Sequence, residues 1–214
     1  MRAVLFDFDY TLADPSGWVF AALNAGLSAA HLPERDDYSL KKLIGLPLDQ
    51  QFEQLGGRGA DARQYSAFRN AYISFRDAHA SVGTHFFKTV PATLTTLNQA
   101  GYVLGIVSTG ARKRIVELLN REGLMRHFRV VVGGCKDKAE GIRRTVQELG
   151  VSNDDSLYVG DRPDDREFAM CANIRFIAVC SGAFKSSEFP VGTEVANDVA
   201  ELLRNLGIHS ASDR

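Results

Sequence analysis

Val4-Leu5-Phe6 is a run of large apolar residues broken at once by Asp7. An apolar run without alternation marks a strand buried on both faces. Further runs at 103–108, 130–132, 157–159 and 174–180 read the same way. Helical spacing fills the gaps. Pro91 opens a helix ending at Gly101, Ile115, Leu118 and Leu119 mark the next, and Ile142, Val146 and Leu149 the third. Two more are expected over 164–173 and 195–206. Between Pro15 and His79 the pattern is helical throughout. Trp18, Ala22, Ala25 and Ala29 share one face, 39–44 forms a short helix closed by Gly45, and Pro47 opens a third that carries Leu48, Phe52 and Leu55. A fourth begins at Asp61, and its stripe of Tyr65, Phe68, Tyr72 and Phe75 reads as the core of a small bundle.

Strands alternating with helices imply a parallel sheet with right-handed crossovers. The first strand is separated from the rest by the helical block. The expected architecture is therefore α/β: a doubly wound, Rossmann-like parallel core over 1–14 and 87–214, with an all-helical insert over 15–86. A chain of 214 residues suits one domain plus such an insert. The tail, Ser210 to Arg214, is expected to fray.

Composition removes several function classes. Lys and Arg number 25 against 26 Asp and Glu, so no nucleic-acid footprint is visible in bulk. Cys135, Cys171 and Cys180 fall in no C-x-x-C spacing, which argues against a disulfide framework or a zinc site. No apolar run approaches the ~20 residues of a membrane helix, and the first strand is too short and too soon charged for a signal peptide. A cytoplasmic protein is expected, monomer or homodimer, with no nucleic-acid or membrane partner.

The chemistry gathers where strands end. Asp7 cannot lie unpaired inside a core, so it must emerge at the carboxyl edge of the sheet, where ligands bind in such folds. Asp9 and Thr11 follow at steps of two, sharing a face if the chain stays extended and one pocket if it turns. Asp161 leaves the 157–159 strand as Asp7 leaves the first, and Asp165 lies on the following helical turn. Two such carboxylates repel, and an oxygen-rich set without histidine or thiolate suits Mg²⁺. Ser108-Thr109-Gly110 ends the second strand, as an anion site or as a plain helix N-cap. Arg112, Lys113 and Arg114 crowd the next helix start, where cations oppose the helix dipole, so a bound anion nearby is expected. Lys136 and Lys138 follow the third strand, within reach of a phosphate and a carboxylate.

Taken in order, these signatures resemble the haloacid dehalogenase superfamily of phosphohydrolases. Asp7-Phe8-Asp9-Tyr10-Thr11 resembles its D-x-D-x-[TV] motif, Ser108-Thr109 its second motif, and Gly160-Asp161-Arg162-Pro163-Asp164-Asp165 its G-D-x-x-x-D motif. The helical insert and Ile44-Gly45-Leu46-Pro47-Leu48 resemble the cap of the phosphoglycolate phosphatase and β-phosphoglucomutase branch. The third motif departs from K-P-x-P. Counting back from Glu140 favours Lys136 as the family lysine, and a lysine at the helix start would be Lys138. The resemblance implies an Mg²⁺-dependent phosphatase acting on a small phosphorylated metabolite through an aspartyl-phosphate. Asp7 would be the nucleophile and Asp9 the acid and base. Ser108, Thr109, Gly110 and the lysine would hold the phosphate, and Asp7, Asp9, Asp161 and Asp165 the metal. The cap, hinged at 14–17 and 81–89, would select the leaving group. The same core could serve a phosphomutase, and less readily a dehalogenase or a phospho-accepting receiver module.

Overall fold

The computed structural model describes residues 1–208; the expectation for 210–214 lies outside them. The chain forms two compact units, Asp14–His85 and the remainder. In the larger unit, strands β1 (Arg2–Phe6), β4 (Tyr102–Val107), β5 (Phe128–Val132), β6 (Ser156–Gly160), β7 (Arg175–Val179) and β8 (Glu194–Ala196) make one sheet in the order β5-β4-β1-β6-β7-β8. Every pairing is parallel. Helices α5 (Val90–Gln99), α6 (Arg112–Arg121), α7 (Lys138–Leu149), α8 (Pro163–Cys171) and α9 (Leu202–Asn205) supply the connections. Two short strands, β2 (Ala13–Asp14) and β3 (His85–Phe86), pair separately.

The consecutive apolar residues of β1 are explained by layers on both faces. Val4 and Phe6 join Ile115 and Leu118 of α6, while Ala3 and Leu5 join Ile142 and Val146 of α7 and Ala169 of α8. Order along the sheet reverses at β1: the chain runs outward through β4 and β5, then returns to β6 on the other side. Ligand crevices of open parallel sheets lie at such a switch point. Register sets its depth. Phe6 pairs with Ile106 and with Val159, so Asp7, Ser108 and Asp161 all leave their strands at nearly the same level.

The smaller unit is helical: α1 (Ser16–Ala29), α2 (Asp37–Lys41), α3 (Leu48–Phe52), a π-helical turn Glu53–Gly57, and α4 (Ala62–Gly83). Here α1 packs along α4. Gly26 permits their close approach, since a Cβ there would stand 2.7 Å from the Phe68 ring. Phe68 is fully buried between Phe52, Tyr65 and Tyr72, so the stripe is core at its centre. Asp61 caps α4 by accepting from the Arg63 and Gln64 amides, and the Gln64 side chain accepts from the Asp61 amide in return.

Two expectations about elements need correction. The short helix expected over 39–44 begins earlier, at Asp37, because the Asp36 carboxylate accepts from the Ser39 amide and hydroxyl and caps it there. The helix expected over 195–206 is a strand followed by a single helical turn. Val195 pairs with Ala178 on the sheet edge. Asp198 then accepts from the Ala200 and Glu201 amides, which starts helical turning only after the strand.

Candidate active site

Beyond Phe6 the chain stays pinned to the sheet for one more residue, as the Asp7 amide donates to the Val159 carbonyl at 2.9 Å. It then coils. The Phe8 carbonyl accepts from the Leu12 and Ala13 amides, and Tyr10 is forced to φ 59°, a left-handed conformation that non-glycine residues rarely adopt. Ser181 supports this turn by donating its hydroxyl to the Tyr10 carbonyl at 2.6 Å. Of the two geometries open to D-x-D-x-T, the protein uses the turn. It brings the Thr11 hydroxyl to Asp161 Oδ1 at 3.5 Å.

Asp7, Asp161 and Asp165 meet. Each offers an oxygen within 4.8 Å of the others, and all three are buried. Lys138 lies among them, its Nζ 2.9 Å from Asp7 Oδ2 and 2.7 Å from Asp165 Oδ1. Burial acting alone would lower the Lys138 ammonium. Asp165 and Asp7 outweigh it and hold the group well above its ordinary value, so the lysine is a fixed cation. Burial raises both remaining carboxyls. Asp161 goes well above the usual carboxylate range, pushed further by Asp165 and Asp7, while Lys138 partly restrains Asp165.

Lys138 and the nearby Arg162, itself paired with Asp164, do not balance three carboxylates, and Asp7 Oδ1 is buried without a hydrogen-bond partner. A hard divalent cation fits this donor set, which is all oxygen and carries excess negative charge. Glycines let the backbone pass over it: a Cβ on Gly182 would stand 2.0 Å from Asp161 Oδ2, and one on Gly160 2.4 Å from Asp165 Oδ2.

Asp9 is placed apart from that trio. Its Oδ2 pairs with Nη2 of Arg114, while its Oδ1 is buried without a hydrogen-bond partner. Ser108 is buried, and its hydroxyl accepts from the Gly110 amide at 3.2 Å. Gly110 sits where Asp9, Arg114 and Ser108 converge, since a Cβ there would meet Arg114 Nη2 at 2.8 Å, Asp9 Oδ2 at 3.2 Å and Ser108 Oγ at 3.4 Å. The N-cap reading of Ser108-Thr109 does not hold: the cap position of α6 is Ala111, with no side-chain capping bond.

Two sequence expectations are corrected here. Lys136 is exposed in the loop before α7, whereas Lys138 is buried against the carboxylates. Asp137 causes this by accepting from the Glu140 amide at 2.9 Å, which makes Lys138 the first helical residue and turns it inward. The basic run 112–114 is not one anion site. Arg112 Nε donates to the Val131 carbonyl, Lys113 is solvated beside Glu117, and only Arg114 enters the site.

Sequence reading also missed Tyr158 and the 181–182 loop. Tyr158 donates its hydroxyl to the Val107 carbonyl at 2.9 Å, and its ring lies 5.9 Å from Lys138 Nζ. Burial holds its phenol protonated, well above the ordinary value. A tyrosine inside an apolar strand carries no outward signal of that role.

Set beside known proteins, residues 4–179 match the model of the haloacid dehalogenase-like hydrolase family. The chain belongs to this family. A phosphoglycolate phosphatase of Yersinia pseudotuberculosis is 24% identical over 100% of this chain and 97% of its own. An N-acetylmuramic acid 6-phosphate phosphatase of Pseudomonas aeruginosa is also 24% identical, over 92% and 91%. A haloacid dehalogenase-like hydrolase structure from Bacteroides fragilis superimposes with TM-score 0.88 at 30% identity, covering 94% of this chain and 99% of that one. This haloacid dehalogenase-like enzyme thus has relatives of equal similarity named for different phosphate esters.

Proposed function

We propose that the protein is an Mg²⁺-dependent phosphatase of small-molecule phosphate monoesters, working through an aspartyl-phosphate on Asp7. The observation that carries this is Asp7 itself: buried at the sheet's switch point, held through one oxygen by Lys138, its other oxygen without a hydrogen-bond partner, and its carboxylate within 4.8 Å of those of Asp161 and Asp165.

The steps use this chain's own groups. An Asp7 carboxylate oxygen attacks phosphorus, and the bond to the ester oxygen breaks. Asp9 gives the departing oxygen its proton. The resulting Asp9 carboxylate then takes a proton from water as that water attacks the phosphoryl group, which releases phosphate and restores Asp7. Lys138, Ser108 and the Thr109 amide stabilise charge on the phosphoryl oxygens. Asp7, Asp161 and Asp165, with the main-chain carbonyl of Asp9, would hold Mg²⁺, which supplies charge neutralisation between an anionic nucleophile and an anionic substrate. The helical segment 15–86 serves as the cap that chooses among leaving groups. Relatives named for two different esters at equal identity support a small-metabolite substrate and leave its identity to a screen.

Purified protein is expected to hydrolyse p-nitrophenyl phosphate with Mg²⁺ and to stop when EDTA is added. Asp7→Asn is expected to abolish turnover while circular dichroism stays unchanged. An isomerised sugar phosphate in place of free phosphate would indicate a mutase, and full activity of Asp7→Asn would overturn the assignment.

A further inference from the structure

Of the three cations at the start of α6, Arg114 alone is buried. Its side chain is 9% exposed and pairs with that of Asp9, which is 14% exposed. The guanidinium lies 5.4 Å from the Phe8 ring, next to Asp9 in sequence. On another side it crosses Gly110, where a Cβ would meet Nη2 at 2.8 Å. Arg114 is thus held by the turn after β1 and the loop after β4, the two segments that carry Asp9 and Ser108. A fully charged, planar group in such a slot fixes one carboxylate oxygen in direction as well as distance. It claims Oδ2 and leaves Oδ1 unpartnered.

We propose that Arg114 is a positioning residue: by holding Oδ2 it fixes the Asp9 carboxylate in the orientation that keeps Oδ1 unpartnered for proton transfer. This rests on the acid–base role given to Asp9 above. Without Arg114 the Asp9 side chain turns among staggered states, and the proton is offered from the wrong place in most of them. The residue acts through Asp9 and makes no bond to the phosphoryl group. Its loss therefore slows steps that need a proton and spares one that does not.

The test compares two esters in the presence of Mg²⁺. Phenolate leaves poorly and needs a proton; 2,4-dinitrophenolate leaves well without one. Arg114→Gln is expected to lower kcat for phenyl phosphate about 100-fold while KM changes by less than about threefold. The first-turnover burst of dinitrophenolate is expected to keep its wild-type rate. Arg114→Lys is expected to recover part of the phenyl phosphate kcat. In an Asp9→Asn background, adding Arg114→Gln is expected to cost nothing further, because the partner through which it acts is gone. That pair removes both charges together, so it carries the comparison even if Arg114→Gln alone does not accumulate as folded protein.

A raised KM with kcat preserved would overturn the proposal in favour of direct substrate binding. An equal loss of the dinitrophenolate burst, or additive losses with Asp9→Asn, would overturn it in favour of a purely structural role. If wild-type protein shows no Mg²⁺-dependent turnover of either ester, the phosphatase reading falls, and this inference with it.

Discussion

Lys138 has two carboxylates within 3 Å and a side chain only 2% exposed. Removing one partner of a buried pair leaves the other charge uncompensated, at about 3–5 kcal/mol. Here the loss would strand Asp7 and Asp165 together, with Asp161 beside them. Lys138→Met is therefore expected to lower stability by an amount at the upper end of that range, read from urea unfolding in EDTA, and to abolish phosphatase turnover. Lys136, exposed two residues earlier, supplies the control. Lys136→Met is expected to stay within about 0.5 kcal/mol of wild type with activity intact. Reversed outcomes for the two lysines would move the third motif back to Lys136. Spacing alone could not make this choice, because both lysines lie close to where the same helix begins. What decides it is Asp137, whose side chain fixes where helical turning begins.

At the scale of elements, the link between the end of α5 and the 3₁₀ turn Met125–His127 is polar. Asn98 directs its amide nitrogen to the Tyr102 and His127 carbonyls, so its oxygen accepts from His127 Nδ1 at 2.8 Å. That assigns the ring proton to Nδ1 and leaves Nε2 buried without a partner. A proton added there would bring a charge with no acceptor. Burial, with Arg126 nearby, accordingly lowers the His127 imidazole below its ordinary 6.5. Between that lowered value and 6.5 the unfolded chain binds more protons than the folded one, so stability rises with pH in this window. It is fully present above the window and is lost as pH falls through it. His127→Asn keeps a donor where Nδ1 stands and is expected to flatten the difference in urea midpoint between pH 5.5 and 7.5. An unchanged slope would exclude His127 as its source.

The same scale shows what the sequence could reveal. Strands buried on both faces announce themselves by unbroken apolar runs, and β1, β4, β5, β6 and β7 were all legible in that way. The edge strand β8 was not, because Glu194-Val195-Ala196 is too short for alternation to stand out beside a helix-like stretch. In the site, the three carboxylates were legible because charge just after an apolar run has only one place to go. Arg114 was visible only as one of three cations, since which of them turns inward depends on the slot between Phe8 and Gly110.

For the whole molecule, the clustered carboxylates carry a stability cost that the proposed cation would offset. Like charges about 4 Å apart repel by on the order of 4 kcal/mol at an effective dielectric of about 20. Among the described residues, the three carboxylates gather around the Lys138 ammonium, with Arg162 partly offsetting the charge of Asp161 and Asp165 and the Thr11 hydroxyl donating to Asp161 at 3.5 Å. Asp161 also receives no ion pair from Lys138 comparable to those of Asp7 and Asp165. Burial, Asp165 and Asp7 therefore make its charge costly in the metal-free protein, as the proposed metal role implies. Asp161→Asn keeps the shape and removes the charge. In EDTA this variant is expected to melt above wild type, because a neutral isostere relieves the repulsion. With Mg²⁺ the order should reverse. A ligand at about 100 times its Kd adds about 2.7 kcal/mol to the folded state, and for a chain of this length that shifts Tm by about 5–10 °C. Wild type is expected to show this rise by calorimetry, and Asp161→Asn little or none. A variant that melts below wild type in EDTA would mean that Asp161 is structural, held by contacts stronger than the repulsion. A variant that keeps the full Mg²⁺ response would place the cation elsewhere.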